Sequence, residues 1–119
     1  MPWQPGPGQG FTTGRPWLPF GPVSRGGTVA EQRDDPAAPI HAYRKLIAVR
    51  HQLGDLDGAA VEWIDSPGLL GYRRGAVLVA ACVGPEPVAI PATGNVLFST
   101  APTIGPLLSP DEAIILSTS

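Results

Sequence analysis

Residues 60–83 read AVEWIDSPGLLGYRRGAVLVAACV, and this stretch decides the fold. Three short runs rich in β-branched, aromatic and aliphatic residues (60–64, 69–74 and 76–83) are divided by Ser66-Pro67-Gly68 and by Arg74-Gly75. Proline followed by glycine, and glycine alone between apolar runs, are hairpin punctuation, so consecutive antiparallel strands are expected. The run 76–83 is apolar at every position, as a central strand covered on both faces would be. Further along, 95–100 repeats the strand signature, and 88–90 and 113–117 give shorter versions of it. The fold class expected for residues 59–119 is therefore mainly β, a small antiparallel β-sandwich or meander. No internal repeat is visible.

Upstream the period changes. Ile40, Tyr43, Leu46, Ile47 and Val49 recur at three- and four-residue spacing, which predicts one amphipathic helix over residues 36–53. Asp34-Asp35-Pro36 supplies an acidic cap before a proline at the first helical position. Gly54 offers the stop, and Lys45, Arg50 and His51 sit toward the end where the helix dipole favours cations. The segment 54–58, Gly-Asp-Leu-Asp-Gly, then reads as a turn.

The composition accounts for the rest. The 119 residues hold 15 glycines and 15 prolines, and 13 of these 30 lie within residues 1–27. Prolines 2, 5, 7, 16, 19 and 22 fix φ and remove backbone donors, so residues 1–35 are expected to form a long irregular Pro/Gly-rich arm. Yet the arm carries Trp3, Phe11, Trp17, Leu18 and Phe20, each of which stabilises by about 1.5–3 kcal/mol when buried. A flexible spacer has no use for them. The arm reads as a loop laid against a hydrophobic surface.

Several classes drop out on totals. A formal charge of −2 and a pI near 5.5 argue against nucleic acid or an anionic membrane as partner. One cysteine excludes an internal disulfide framework and a multi-cysteine zinc site. The longest apolar run, 76–83, is far short of the roughly 18–20 residues of a membrane span. Met1-Pro2-Trp3-Gln4-Pro5 lacks the charged region and apolar stretch of a signal peptide, so the chain is read as cytoplasmic.

No constellation of side chains forms a complete catalytic or metal site. His41 and His51, the only imidazoles, would lie about 280° apart around one helix and roughly 15 Å along it, too far to share a metal. Paired carboxylates would suit acid/base chemistry, but Asp34/Asp35, Asp55/Asp57 and Asp111/Glu112 all fall in caps and turns. Glu62 stands in a strand without an evident partner. Asp55-Leu56-Asp57-Gly58 resembles part of a calcium loop but lacks the further oxygen ligands and the distal glutamate. Cys82 lies in the most apolar strand with no basic neighbour, which makes it an inert core thiol. No residue of this chain is therefore assigned a catalytic, substrate-binding or metal-binding role, and no cofactor is expected.

Three stretches in order carry a family resemblance. Met1-Pro2-Trp3 resembles the end of an R-T-P-M-x-W motif. Gly10-Phe11-Thr12-Thr13-Gly14-Arg15-Pro16-Trp17-Leu18-Pro19 resembles G-F-[ST]-x-G-x-P-W-L-P. Val29-Ala30-Glu31-Gln32, Asp35-Pro36 and Tyr43-Arg44-Lys45-Leu46-Ile47-Ala48-Val49-Arg50 resemble V-x-x-Q…D-P…Y-R-K-L-I-x-L-R. These are motifs near the C-terminal end of the α-amylase family of glycoside hydrolases, in its α-glucosidase and oligo-glucosidase branch. The likeness is close over residues 1–53 and loose beyond, where the strand pattern and Leu108-Ser109-Pro110-Asp111-Glu112-Ala113 agree.

The resemblance implies that the arm is the loop after the eighth strand of a (β/α)8 barrel, the helix the last barrel helix, and residues 59–119 the C-terminal β-domain. The family's two catalytic aspartates and its glutamate precede the first matching motif, so none is carried onto this chain. The implied function is the C-terminal part of an α-glucosidase-like hydrolase, structural and non-catalytic by itself, with hydrolysis of α-glucosidic bonds belonging to the full enzyme. The chain is accordingly read as a truncated or split product or a gene fragment. Its expected partner is the missing catalytic barrel or a second copy of itself, with oligosaccharide engaged only through the full enzyme. The alternative is a stand-alone module that binds carbohydrate or docks a protein through its arm or a sheet face.

Overall fold

A computed structural model describes residues 2–23, 26–54, 56, 58–101 and 105–118. The chain divides into two compact units, Met1–Lys45 and Leu46–Ser119.

In the first unit the arm is irregular through residue 23, and then contains a helix that the sequence reading did not anticipate. The helix α1, Val29–Arg33, is only five residues long. Every one of its first backbone donors is satisfied. The Val29 N–H donates to the Pro2 carbonyl at 3.1 Å and the Ala30 N–H to the Trp3 carbonyl at 3.0 Å. Thr28 and Glu31 form a capping box in which the Glu31 N–H donates to Thr28 Oγ1 and the Glu31 carboxylate accepts from the Thr28 N–H. Such reciprocal caps are what make so short a helix tenable.

The longer helix α2 runs Pro39–Gln52 and crosses from the first unit into the second. It starts three residues later than the expected Pro36. Asp35 Oδ1 accepts from the Ala37 N–H at 2.9 Å, and the Asp35 carbonyl from the Ala38 N–H, so this acid closes a turn instead of capping the helix. Pro39 takes the first helical position, where its missing donor costs nothing. At the other end Gly54 has φ +63°, the left-handed conformation expected of a terminating glycine. Its carbonyl accepts from Arg50 Nη1 at 3.1 Å. Asp55 and Asp57, read as turn residues with a calcium-loop look, lie outside the described residues.

The second unit is the expected mainly antiparallel β structure. Strands β1 (Val61–Ser66), β2 (Leu69–Arg74) and β3 (Val77–Cys82) form a meander. They continue into β7 (Ala113–Ser117) and β5 (Asn95–Ser99), giving one sheet of order β1-β2-β3-β7-β5. A second sheet pairs β4 (Val88–Ala89) with β6 (Leu107–Leu108). The hairpins turn where the sequence is punctuated: Ser66 pairs with Leu69 around Pro67-Gly68, and Arg74 with Val77 around Gly75-Ala76. Gly68 at φ +74° and Gly75 at φ +57° take conformations that would strain any other residue.

Strand alternation divides the large sheet into two faces. Leu69, Leu78, Ala80, Cys82, Ile114 and Leu116 are buried together on one face, closed over by Leu108 of β6 and by the partly buried Val88, Ile90 and Ala92. This is the core of a small sandwich. On the other face Val77 is buried, whereas Val79 and Ala81 are only half-buried. The expected two-sided cover of this central strand is thus complete on one side and partial on the other.

Gly94 lies close against β7, where an added Cβ would meet the Ser117 carbonyl. Because the obstacle is backbone in a paired strand, a side chain here must push β5 away from β7. Gly94→Ala is expected to cost about 1–3 kcal/mol, read as a lower urea midpoint at unchanged m-value.

Candidate functional site

Several of the chemically suggestive residues from the sequence have a structural occupation among the described residues. His41 lies half-buried, and its Nε2 faces two backbone carbonyls, Gln32 O at 3.1 Å and Arg33 O at 3.2 Å. A carbonyl only accepts, so the ring donates there and closes the C-terminal end of α1. His51 is exposed in the last turn of α2. Glu112 Oε2 accepts from the Ser109 N–H at 2.7 Å, bracing the turn before β7. Glu62 is exposed on β1 directly opposite Arg73 of β2. Cys82 is buried, with Sγ directed at the Glu86 carbonyl at 3.3 Å. Among the described residues, no three His, Cys, Asp or Glu side chains group as metal ligands.

What remains is surface, and it is of three kinds. In the second unit the less covered sheet face and the C-terminal half of α2 enclose an apolar cavity of about 350 Å³, lined in part by Leu46, Val49, Leu53 and Ile115. Trp63 and Tyr72, cross-strand partners, stand at this cavity as an edge-to-face pair with centroids 5.6 Å apart and planes at 64°. Trp63 keeps 70% of its surface exposed. That is a large apolar area to leave in water.

The arm presents the second kind. Phe11, Arg15, Trp17, Leu18 and Phe20 line an open hollow of about 450 Å³ within the first unit. Trp17 is 92% exposed and Phe11 72%, so the surface for which these aromatics are suited is not supplied by the first unit itself.

The third is polar. A cleft of about 360 Å³ in the first unit is lined by Gln4, Pro5, Gln9, Val23, Thr28 and Glu31 among others. The loop that builds it is cross-tied: the Gln9 carbonyl accepts from the Trp3 N–H at 2.8 Å and the Gln4 N–H at 3.2 Å. None of these residues stood out in the sequence as a group, because the arm's turns bring them together across 28 positions.

No family model matches this chain. It is 37% identical over 76 residues to the probable oligo-1,6-glucosidase 2 of Bacillus subtilis (strain 168). It is 36% identical over 75 residues to the probable alpha-glucosidase of Rhizobium meliloti (strain 1021), and 38% over 76 to the oligo-1,6-glucosidase of Parageobacillus thermoglucosidasius. The chain is similar to a part of these glucosidases. Each of these matches takes in 62% of the chain but only 14% of the relative's length.

Solved structures also share the fold of this chain. Isomaltulose synthase from Klebsiella sp. LX3 superposes at TM-score 0.82 and 23% identity, over 97% of this chain and 24% of the synthase. The isomaltulose synthase of Erwinia rhapontici NX5 gives TM-score 0.79 at 26% identity, again over 97% and 24%. Nearly the whole chain thus matches about a quarter of a much longer chain. The mainly antiparallel β-unit lies within the superposed part.

Proposed function

We propose that this chain serves as the C-terminal part of an α-glucosidase-type glycoside hydrolase and is non-catalytic by itself. One observation carries the reading: almost the whole chain superposes on about a quarter of an isomaltulose synthase, while its sequence matches 14% of an oligo-1,6-glucosidase. The carboxylates described here are committed to turns, caps and strand edges, which leaves the acid and nucleophile of α-glucoside hydrolysis to other parts of the enzyme.

In this reading the β-unit braces the last barrel helix and the arm forms part of the rim of the active site. The partner is a catalytic (β/α)8 barrel, and the exposed Phe11, Trp17 and Tyr43 of the first unit and, separately, Ile47 of the second are side chains suited to it. Burying four such side chains would contribute about 6–12 kcal/mol before the entropy of association is subtracted. Where that partner is absent, self-association is the alternative route to covering them. No described helix is long and apolar enough to cross a membrane, and we assign the enzyme to the cytoplasm.

The test is a replacement in a relative. Exchanging the matched stretch of the Parageobacillus thermoglucosidasius oligo-1,6-glucosidase for this chain's residues is expected to leave a folded enzyme that still turns over its substrate. Deleting the stretch is expected to abolish turnover. A deletion variant as active as the intact enzyme would contradict the bracing role.

A further inference from the structure

The apolar cavity between the C-terminal half of α2 and the half-covered face of the large sheet carries two cations that packing does not explain. Arg50 and Arg74 both line it, while every other described lining residue is Leu, Val, Ile, Trp or Tyr. We propose that this cavity binds an amphipathic monoanion, a free medium-chain carboxylate. Its tail enters between helix and sheet, and its head meets the two guanidiniums. The site lies wholly within the second unit and does not depend on the glucosidase reading.

Both arginines stand where periodicity calls for apolar residues. Leu46, Val49 and Arg50 of α2, with Leu53 just past its end, follow the i, i+3, i+4, i+7 spacing of a helix face turned to a core, and Arg50 breaks that stripe. Arg74 alternates with Tyr72 along β2 and lies opposite Val61 of β1, which puts it on the cavity side of the sheet. One backbone bond positions each side chain. Arg50 Nη1 donates to the Gly54 carbonyl at 3.1 Å, and Arg74 Nε to the Ala59 carbonyl at 3.2 Å. A guanidinium has five donors, so each keeps others for a ligand. Among the described residues neither has a carboxylate partner. Two like charges beside one apolar space repel, and a bound anion offsets that repulsion.

The remaining lining suits an aliphatic tail. Val49 and Val77 are buried, and Leu53, Val79 and Ile115 are half-buried, so the walls are apolar on both the helix and the sheet side. Trp63 and Tyr72, in edge-to-face contact, offer aromatic surface that a bound tail removes from water. No Asp or Glu is among the described lining residues, so a cationic amphiphile finds no counter-charge there. A planar carboxylate, by contrast, accepts two parallel bonds from a guanidinium. At about 350 Å³ the cavity lies at the small end of small-molecule sites, roughly 300–1,000 Å³, which limits the tail to a medium chain.

The experiment is a titration of the ¹⁵N-labelled 119-residue chain with hexanoate, octanoate and hexanol, following the indole N–H signal of Trp63. That signal is expected to shift saturably with octanoate. Octanoate is expected to bind up to about fifteenfold tighter than hexanoate, since each buried methylene is worth about fourfold. Hexanol, with the same tail as hexanoate and no charge, is expected to bind about tenfold more weakly than hexanoate. The Arg50→Gln/Arg74→Gln double variant is expected to lose about tenfold for both carboxylates and nothing for hexanol, whose retained binding shows the cavity intact. Arg50→Gln alone, at an exposed position, gives a second reading with a smaller loss confined to the carboxylates. No saturable Trp63 shift up to roughly 10 mM octanoate, where a millimolar site is about nine-tenths full, would overturn the proposal. So would hexanol binding as tightly as hexanoate, or carboxylate affinity unchanged in both variants.

Discussion

Leu78→Asp abolishes the cooperative thermal transition of the β-unit and its β-type circular dichroism. Leu78 is 0% exposed at the centre of β3, packed on the face that the β4–β6 layer closes. Truncation to alanine there already costs about 2–5 kcal/mol through lost transfer energy and the cavity left behind. A whole domain is stable by only about 5–15 kcal/mol. A carboxylate adds the cost of burying a charge with no hydrogen-bonding partner, several kcal/mol more. Leu70→Asp is the control, one strand away and on the opposite face, where Leu70 is 56% exposed. It is expected to stay within about 0.5 kcal/mol of the unsubstituted chain. If Leu78→Asp melted like Leu70→Asp, the placement of the core between the two sheets would be wrong.

That asymmetry between faces was only partly legible. Residues 76–83 look apolar on both sides, and pattern alone cannot distinguish a strand covered twice from one covered once and a half. The hairpins were legible because Pro67-Gly68 and Gly75 impose their turns locally. Strand β6 was not, since two residues, Leu107 and Leu108, are paired only because β4 lies opposite. The helix start moved from Pro36 to Pro39 because two prolines compete for one role and Asp35 spends its side chain on Ala37. The short helix α1 did have a readable signal in Thr28-Val29-Ala30-Glu31, a capping box, but its neighbours' glycines and prolines masked it.

The candidate site divides in the same way. The exposed aromatics of the arm could be read as residues awaiting a surface, because large apolar groups among glycines and prolines have no use in a free linker. The polar cleft could not be read. Gln4, Gln9 and Glu31 are ordinary residues in an irregular segment, and only the hydrogen bonds around Gln9 and Thr28 bring them together. Local rules do not encode such a closure.

The second large effect concerns chemistry. Enzymes accelerate such reactions by many orders of magnitude, typically 10⁶–10¹⁷-fold, and for glycosides nearly all of that requires two carboxyl groups set about 5–10 Å apart across the bond. In this chain Asp35 and Glu112 hold turns, and Glu62 lies on a strand edge opposite Arg73.

The central claim, that the chain is a structural part of a glucosidase and not an enzyme alone, is tested most directly by assaying the purified 119-residue chain with an aryl α-glucoside. The account predicts release of the aryl alcohol at the rate of buffer alone, at every protein concentration. Release above buffer that scales with the chain and is abolished by Leu78→Asp would contradict it.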